Sequence, residues 1–364
     1  MLKSARIKNL TVFPEANLDF AAGLNVIVGE NGCGKSHLLK VMYSVIAAGC
    51  NPSNATIPNP TQAYLQKAYA DKLVAVLRPE SLGRLARRKP GTERCELNLA
   101  FSRAAGGSRK NPLFDDYAKT LGVSLGFSSR SKSEVAMEST PTQWQPKPPV
   151  FFPTRELVTL CPWFIGLYDN YHLQFEETWR DTCSLLTAPT VKGPREKQIA
   201  AMLMPLEEAM GGKVVVDAIT GNFYLQVPGE GKLEMPLVAE GLRKLAMLAR
   251  LISTGTLLEQ GYLFWDEPET NLNSKLIKLI AKVILDLCKG GIQVFVATHS
   301  LFLLRELEIQ THTQGFNNVH KRFFALARGE QGVTITQSGV MLEIEPLVML
   351  DEELHQTDRY MQLS

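Results

Sequence analysis

The 364-residue sequence has few of the features that mark a secreted, membrane or metal-centred protein. Its six cysteines are scattered without a CxxC pair, which argues against a zinc site or a disulfide framework and fits a reducing cytosol. Its six histidines form no HExxH pattern. The first residues lack the apolar stretch of a signal peptide, and no window reaches the roughly 18–20 apolar residues of a membrane span. We therefore expect a soluble, cytoplasmic protein without membrane contact.

The sequence also lacks an excess of one charge, since 39 basic and 37 acidic side chains give a net charge of +2. Any contact with nucleic acid must therefore come from a local patch. With 45% hydrophobic and 21% charged residues, the composition is that of an ordinary globular protein, which excludes a disordered chain or a fibre. The length predicts two or three lobes or one large domain.

Strand-like and helix-like segments alternate at both ends of the chain. Near the N-terminus, the apolar segment 24–28 precedes a glycine-rich turn and a helix from Lys35 to about Ala48. Residues 156–210 are expected to be mostly helical. Strands are expected at 6–10, 96–101, 150–152, 213–217, 222–227, 262–265, 293–297, 322–327 and 333–336, and further helices at 61–78, 240–253, 274–288 and 301–307.

The glycine-rich turn GENGCGKS at 29–36 has the pattern GxxxxGK followed by serine, and it lies between a strand and a helix. Glycines let the backbone N–H groups point at phosphate oxygens, and the helix N-terminus adds partial positive charge. Lys35 is expected to reach the β- and γ-phosphates and Ser36 to ligate Mg²⁺. The predicted nucleotide-binding residues here are Gly29, Asn31, Gly32, Cys33, Gly34, Lys35, Ser36 and His37.

Two later strands end in polar residues that suit the same chemistry. Strand 262–265 leads into Asp266 and Glu267, which we expect to hold Mg²⁺ through its water shell and to polarise the attacking water, respectively. Strand 293–297 leads into THS, and His299 lies 33 residues after Asp266. Its imidazole is expected to hydrogen-bond the γ-phosphate and sense its loss. Glu267 and His299 are thus the predicted catalytic residues.

Together these segments resemble the ABC-type ATPase superfamily, in the branch that holds RecF, SMC and OLD-like proteins. The resemblance rests on IKNL…GLNVIVGENGCGKS at the start and on DEPETNLN at 266–273, which looks like a Walker B motif with a D-loop facing a second subunit. FFPTREL at 151–157 looks like the Q-loop segment of bacterial, defence-associated members, with Arg155 in place of glutamine. The resemblance implies ATP, Mg²⁺ and a homodimer or higher homo-oligomer.

The signature of this superfamily is an LSGGQ-like turn that opens a helix and binds the partner's γ-phosphate. The corresponding stretch here is VAEGLRK at 238–244, with Glu240 and Gly241 as the predicted contacts. Ala239 replaces the serine, so one hydroxyl hydrogen bond is lost. Either assembly on ATP is weaker than in the parent family, or Arg243 or Lys244 compensates. An ordinary amphipathic helix is the alternative interpretation.

The resemblance implies an α/β fold, namely an ABC-type P-loop ATPase head with a mixed sheet, an inserted β-containing lobe and a helical lobe. We expect the ATPase core to comprise residues 1–49, with the phosphate loop, and 236–340, with the signature, Walker B and His299. Between them lie a partly β lobe at 50–149 and a mostly helical lobe with connecting strands at 150–235. An acidic helix at 341–364 closes the chain.

Two segments of the sequence, a basic stretch and the C-terminal residues, indicate how the protein could contact partners. Residues 78–110 carry nine basic and three acidic side chains, which fits either a nucleic-acid contact or a solvated surface. The final 24 residues hold six acids and one base, and Leu347, Leu350, Leu354 and Met361 lie near helical spacing. We expect this helix to dock on the core or on a partner.

The motifs predict an ATP-driven switch that controls a separate effector, since 65 residues after His299 leave no room for a nuclease domain. Resemblance to OLD-like and Septu-type ATPases suggests anti-phage defence. The alternative is a RecF-like repair or recombination ATPase that acts directly on DNA. A transporter subunit is disfavoured by the altered signature, a GTPase by the lack of NKxD, and a small-molecule kinase by the DE and THS pair.

Overall fold

A computed structural model describes residues 1–51, 58–88, 94–102, 121–171, 173–190 and 196–362 of the chain. The helices are α1 (Lys35–Ala48), α2 (Gln62–Leu77), α3 (Cys161–Tyr171), α4 (Glu177–Leu186), α5 (Glu196–Met210), α6 (Glu240–Ser253), α7 (Thr256–Glu259), α8 (Ser274–Lys289), α9 (Leu301–Thr311) and α10 (Val348–Met361). Within these ranges, none of the helices is long and apolar enough to cross a membrane.

The strands form three sheets. They are β1 (Leu2–Leu10), β2 (Phe13–Asp19), β3 (Leu24–Gly29), β4 (Arg94–Phe101), β5 (Val123–Ser128), β6 (Ala136–Ser139), β7 (Pro149–Phe152), β8 (Lys213–Val216), β9 (Phe223–Val227), β10 (Gly231–Glu234), β11 (Tyr262–Asp266), β12 (Gln293–Thr298), β13 (Lys321–Gly329) and β14 (Gly332–Ser338). The predicted strands are all present, and the sequence analysis missed β2, β5, β6 and β10.

The central sheet has six strands in the order β14-β13-β3-β12-β11-β7. All neighbours in it are parallel except the β13–β14 hairpin, so the sheet is mixed as expected. Its parallel strands are continuous apolar runs because both of their faces are covered. In β3, for example, Val26 and Val28 pack into one hydrophobic cluster and Ile27 into another.

The first cluster contains helices α3–α6, α8 and α9 and lies on one face of the central sheet. The second contains α1 and α2 together with a five-stranded antiparallel sheet in the order β2-β1-β4-β5-β6. Of the strands within 50–149, β4 pairs antiparallel with the N-terminal β1, with Ile7 opposite Leu97, and β5 and β6 extend the sheet outwards from β4. The third sheet has the order β10-β9-β8, and in sequence its strands follow α5 and precede α6.

Capping residues explain where several helices begin. Thr61, Asn273 and Ser300 precede α2, α8 and α9, and each side-chain oxygen accepts a hydrogen bond from the backbone N–H three residues later. Ser300 of the THS segment therefore has a structural role at the start of α9. These caps fix the loops that precede α8 and α9, both of which carry predicted site residues.

The C-terminal helix departs from the expectation that it docks on the core. Leu347, just before α10, is buried, but Leu354 and Met361 are 55% and 67% exposed. The side chain of Leu350 lies outside the described residues. A surface ion pair between Arg305 and Glu353, 3.0 Å long, joins α10 to α9. The apolar spacing of α10 is thus real, but the apolar residues of its later turns are largely exposed.

Candidate functional site

The predicted site residues meet at the carboxyl edge of the central sheet. β3, β12 and β11 run parallel, with Val28 opposite Thr298 and Ala297 opposite Asp266. Loops that follow parallel strands leave the sheet at the same edge. The phosphate loop, Asp266 with Glu267, and His299 are therefore brought together, as the sequence predicts.

Backbone geometry explains the glycines of the phosphate loop. Gly29, Gly32 and Gly34 have φ values of 153°, 80° and 88°, a region that other residues rarely adopt. A Cβ at Gly34 would lie 2.7 Å from the ring of Phe13, and one at Gly29 would lie 2.6 Å from the carbonyl oxygen of Leu326. The loop is therefore shaped by its neighbours on β2 and β13 as well as by its own sequence.

Lys35 is buried at the first position of α1, and its ammonium group is held by the loop. Its Nζ donates to the carbonyl oxygens of Gly29 and Glu30, at 2.8 and 3.1 Å. The Cys33 thiol is buried in the core, and its backbone N–H donates to Glu30 at 3.3 Å. Any nucleotide contact by Cys33 would thus be made by its backbone, whereas Asn31 is exposed at the top of the loop.

Two further side chains lie against the loop. The Nδ1 of His37 lies 3.3 Å from the hydroxyl of Thr11, and burial, followed by Lys40, lowers the pKa of this imidazole. Arg328, which the sequence analysis missed, donates from Nη2 to the carbonyl oxygen of Gly32 at 3.3 Å. No local motif marks Arg328, because it comes from the end of β13, about 300 residues away in sequence.

Ser36 and Asp266 lie together, as a shared Mg²⁺ site requires. Burial raises the pKa of the Asp266 carboxyl, and a hydrogen bond from the Ser36 hydroxyl works against that rise. Among the described residues, Oδ1 of Asp266 is buried without a hydrogen-bond partner. A buried carboxylate oxygen without a donor is costly unless a cation or water meets it. These two oxygen ligands therefore fit a hydrated Mg²⁺ ion.

Glu267 and His299 are in direct contact. Oε1 of Glu267 lies 3.0 Å from Nδ1 of His299, and both side chains reach solvent, at 25% and 47% exposure. The Glu267 backbone is left-handed, with φ 48°, and its N–H donates to Ala297 at 2.8 Å. This unusual conformation for a glutamate directs its carboxylate towards the loop that follows β12.

Glu269 is a buried acid that the sequence analysis did not assign. Its Oε1 accepts from the Thr298 hydroxyl at 2.6 Å and from the His299 backbone N–H at 3.3 Å. Glu269 thus fixes the loop that carries His299. The second glutamate of DEPE and the hydroxyl of THS are the sequence signals for this bond, but nothing in either segment shows that they pair.

The start of α6 packs on the loop after Walker B. A Cβ at Gly241 would overlap the carbonyl oxygen of Asn271, whose backbone is also left-handed and whose side chain is exposed. Ala239 provides no side-chain cap, and Glu240 is exposed. The signature stretch therefore contacts the D-loop of its own chain and leaves Ala239 and Glu240 exposed to solvent.

Compensation by Arg243 or Lys244 was one of two alternatives for the lost hydroxyl, and the structure engages both side chains within the chain. Lys244 is buried and donates to the carbonyl oxygens of Glu267 and Thr270. Arg243 pairs with the buried Glu156 at 3.5 Å. Both cations are held within the chain, because α6 turns this face towards the core, and neither is directed at a neighbouring molecule. Arg155 of the Q-loop segment is exposed, so Glu156 is the residue of that segment that contacts α6.

Two family models match this chain, and they cover the two halves of the site. One, described as an AAA domain, matches residues 4–48 and so includes the phosphate loop. The other, whose description names an AAA domain, the AbiEii toxin and a Type IV TA system, matches residues 129–305 and so includes Walker B and His299. Together the two matched segments contain the phosphate loop, Walker B and His299, the motifs of a P-loop ATPase, and the matched families indicate ATP hydrolysis.

The fold of this ATPase is that of an SMC head. A crystal structure of an SMC head bound to the C-winged helix domain of ScpA matches with 11% identity and a TM-score of 0.56, over 94% of this chain and 98% of that chain. The SMC head domain from Thermotoga maritima matches with 13% identity and a TM-score of 0.47, over 93% and 99% of the two chains.

A curated relative from Helicobacter pylori (strain ATCC 700392 / 26695), an ATP/GTP phosphatase, is 38% identical over 52 residues. The matching segment spans 14% of this chain and 14% of that relative.

Proposed function

We propose that this ATPase is a nucleotide-driven switch that assembles when it binds Mg·ATP and controls a separate effector protein. The phosphate loop and Lys35 bind the triphosphate, and Ser36 and Asp266 hold the Mg²⁺ ion that accompanies it. When bound, Mg²⁺ neutralises charge on the phosphate oxygens. Glu267 takes a proton from the attacking water, and His299 donates a hydrogen bond towards the γ-phosphate.

The observation that carries this assignment is the 3.0 Å contact between Glu267 and His299. One carboxylate is left exposed enough to accept a proton, while its neighbours Asp266 and Glu269 are buried and Glu269 is bonded to Thr298 and His299. An imidazole that bonds both the base and a phosphate oxygen would link the position of the base to the presence of the γ-phosphate. That link is what a nucleotide-sensing switch needs.

Assembly with a second copy is supported by the open end of α6. The N-terminus of a 14-residue helix favours an anion, and Ala239 leaves its first N–H groups uncapped. Asn271, next to Gly241, is exposed. A partner's triphosphate placed here would meet the helix dipole and the backbone N–H groups. We propose a homodimer or a higher homo-oligomer whose stability depends on ATP.

Control of an effector in anti-phage defence is supported by two likenesses. The family model over residues 129–305 carries the AbiEii toxin and a Type IV TA system in its description. The SMC head of similar fold is bound to a domain of another protein, ScpA. We propose that this ATPase, in the cytoplasm, likewise holds or releases a protein partner according to the bound nucleotide.

Direct action on DNA is the weaker proposal. Within the described part of 78–110, Arg84 pairs with Glu80, Arg94 with Glu138, and Arg78 with Gln174. Arg87 donates to the carbonyl oxygen of Gln331. Arginines engaged in this way are less available to phosphates than free ones. Residues 89–93 and 103–110 of the basic stretch lie outside the described residues.

Glu267→Gln tests the proposed function. We expect this variant to bind Mg·ATP and to hydrolyse it about 10²–10⁴-fold more slowly, because the general base is lost. Light scattering is expected to show an ATP-dependent dimer or larger species. Lys35→Ala is expected to bind ATP weakly and not to assemble, because it lacks the cation that meets the β- and γ-phosphates.

The matched control is Glu230→Gln, an exposed glutamate on the β9–β10 turn, which should keep the wild-type rate. Wild-type turnover by Glu267→Gln would refute the assigned base. A monomer at saturating ATP would refute the nucleotide-driven assembly.

A further inference from the structure

Lys244 joins the signature helix to the turn that carries the proposed base. It lies one turn into α6 and is only 3% exposed. Its Nζ donates to the carbonyl oxygen of Glu267 at 2.8 Å and to that of Thr270 at 3.3 Å. The ammonium group thus lies against the backbone of the turn at 267–271, which carries the Glu267 carboxylate.

This turn needs support because two of its residues have left-handed backbones. Glu267 has φ 48° and Asn271 has φ 64°, and neither residue is glycine. From one side, the N–H of Glu267 is held by Ala297 on β12. From the other side, the only bonds described to the carbonyl oxygens of Glu267 and Thr270 outside the turn itself are those from Lys244.

The ammonium group of Lys244 is buried beside three acids. Burial lowers the pKa of its ammonium to about 8, while Glu269, Glu267 and Asp266 oppose that fall. A buried cation in a helix that faces the core is costly unless it is bonded. Its position is therefore explained by the turn that it holds and not by packing alone.

Helix α6 touches the same turn at a second point. Gly241 packs directly on the carbonyl group of Asn271, at the far end of the turn from Glu267. A small rigid movement of α6 would therefore move both ends of the turn together. In the proposed assembly, the N-terminus of α6 faces the partner's nucleotide, so such a movement would follow the state of the neighbouring site.

We propose that Lys244 is a positioning residue that holds Glu267 in its catalytic orientation from the signature helix. This inference rests on the proposed function, in which Glu267 is the base. The position of α6 thereby sets the position of the base.

The test is Lys244→Met, which keeps most of the apolar stem and removes the donors. We expect kcat to fall about 10–100-fold, as misplacement of a catalytic group does, while the Kd for Mg·ATP changes less than about twofold. Lys244→Arg keeps the positive charge and should recover part of the lost rate. Lys275→Met, at an exposed lysine on α8, should behave as the wild type.

A double-mutant cycle separates positioning from a general structural role. In the Glu267→Gln background, Lys244→Met should cost less than about twofold further, because Lys244 acts through the missing carboxylate. An additive loss in that background, a parallel loss of ATP binding, a wild-type rate for Lys244→Met, or no recovery by Lys244→Arg would each overturn the inference. If Glu267→Gln alone keeps the wild-type rate, the proposed function itself fails.

Discussion

His299 shows how a single imidazole can serve both chemistry and structure. Its ring contacts Glu267, while its backbone N–H is held by Glu269. The sequence predicted Glu267 and His299 as the two catalytic residues, because each follows an apolar strand and the motifs occur in the expected order. The support from Glu269 and Thr298 was not predicted, since a hydrogen bond between two loops has no local pattern.

We expect His299→Ala to lower the hydrolysis rate more than the affinity for ATP, because its contact with the γ-phosphate matters most as that group leaves. The measurement is kcat beside the Kd of Mg·ATP. His312→Ala is a matched control, because Nε2 of His312 lies 3.1 Å from Glu308 in an exposed pair of the same kind. Weakened binding at an unchanged rate would make His299 a structural residue.

Lys244 also predicts a pH dependence of stability. Its pKa is about 8 in the folded chain, mainly through burial, against an ordinary value of 10.5. Below pH 8 the folded state carries the full cost of a buried charge, and the cost disappears as the pH rises towards 10.5. Relative to Lys244→Met, the wild type should therefore gain about 2 kcal/mol of unfolding free energy between pH 7 and 9.5.

Chemical denaturation of both proteins at the two pH values measures this difference. If the wild type gains no unfolding free energy relative to Lys244→Met as the pH rises, or loses some, the assigned burial of the ammonium group is contradicted.

Helices and strands could be predicted where the hydrophobic periodicity was strong or a motif marked their ends. Strands that depend on pairing with distant segments could not be predicted. Helix α1 begins at Lys35 and ends at Ala48 as expected, because the phosphate loop and Gly49 mark its two ends. β5 and β6 were missed, since they occupy a serine-rich stretch whose pairing with β4 depends on residues far away in sequence. Periodicity in α10 was read correctly, but it does not say which surface the apolar residues cover.

Substitutions around α10 should separate buried from exposed leucines. Leu347→Ala should destabilise the chain by about 2–5 kcal/mol, because Leu347 is 7% exposed. Leu354→Ala, at 55% exposure, should stay within about 0.5 kcal/mol of the wild type. Thermal or urea unfolding measures both. Equal, large losses would mean that α10 packs on the core after all.

At the scale of the whole molecule, the central sheet divides the interior into two hydrophobic clusters, and all proposed catalytic groups stand at one of its edges. The acids gathered there, Asp266, Glu267 and Glu269, belong to or support the proposed nucleotide site. The order of the strands was not predicted, because the long segments between β3 and β11 hide which strands become neighbours. The meeting of the three motifs was predicted, because loops after parallel strands share an edge.

The purified chain should hydrolyse ATP and leave DNA and RNA intact in the presence of Mg²⁺ or Mn²⁺, since its clustered acids are committed to the nucleotide. Gel analysis of plasmid, single-stranded DNA and RNA after incubation, beside an assay for released phosphate, checks this. Cleavage that is lost in parallel with ATP hydrolysis in Glu267→Gln would show that the effector activity resides in this chain.

The Lys35 ammonium group donates hydrogen bonds to the carbonyl oxygens of Gly29 and Glu30, and these bonds affect which anions can bind to it. An anion must replace two hydrogen bonds of a charged donor, each of which contributes about 1.5–3 kcal/mol. Inorganic phosphate, with one small charged group, offers little beyond that exchange. A di- or triphosphate brings further oxygens for the loop N–H groups and for Ser36. This arrangement of the loop thus favours a di- or triphosphate over inorganic phosphate before any base or sugar is recognised.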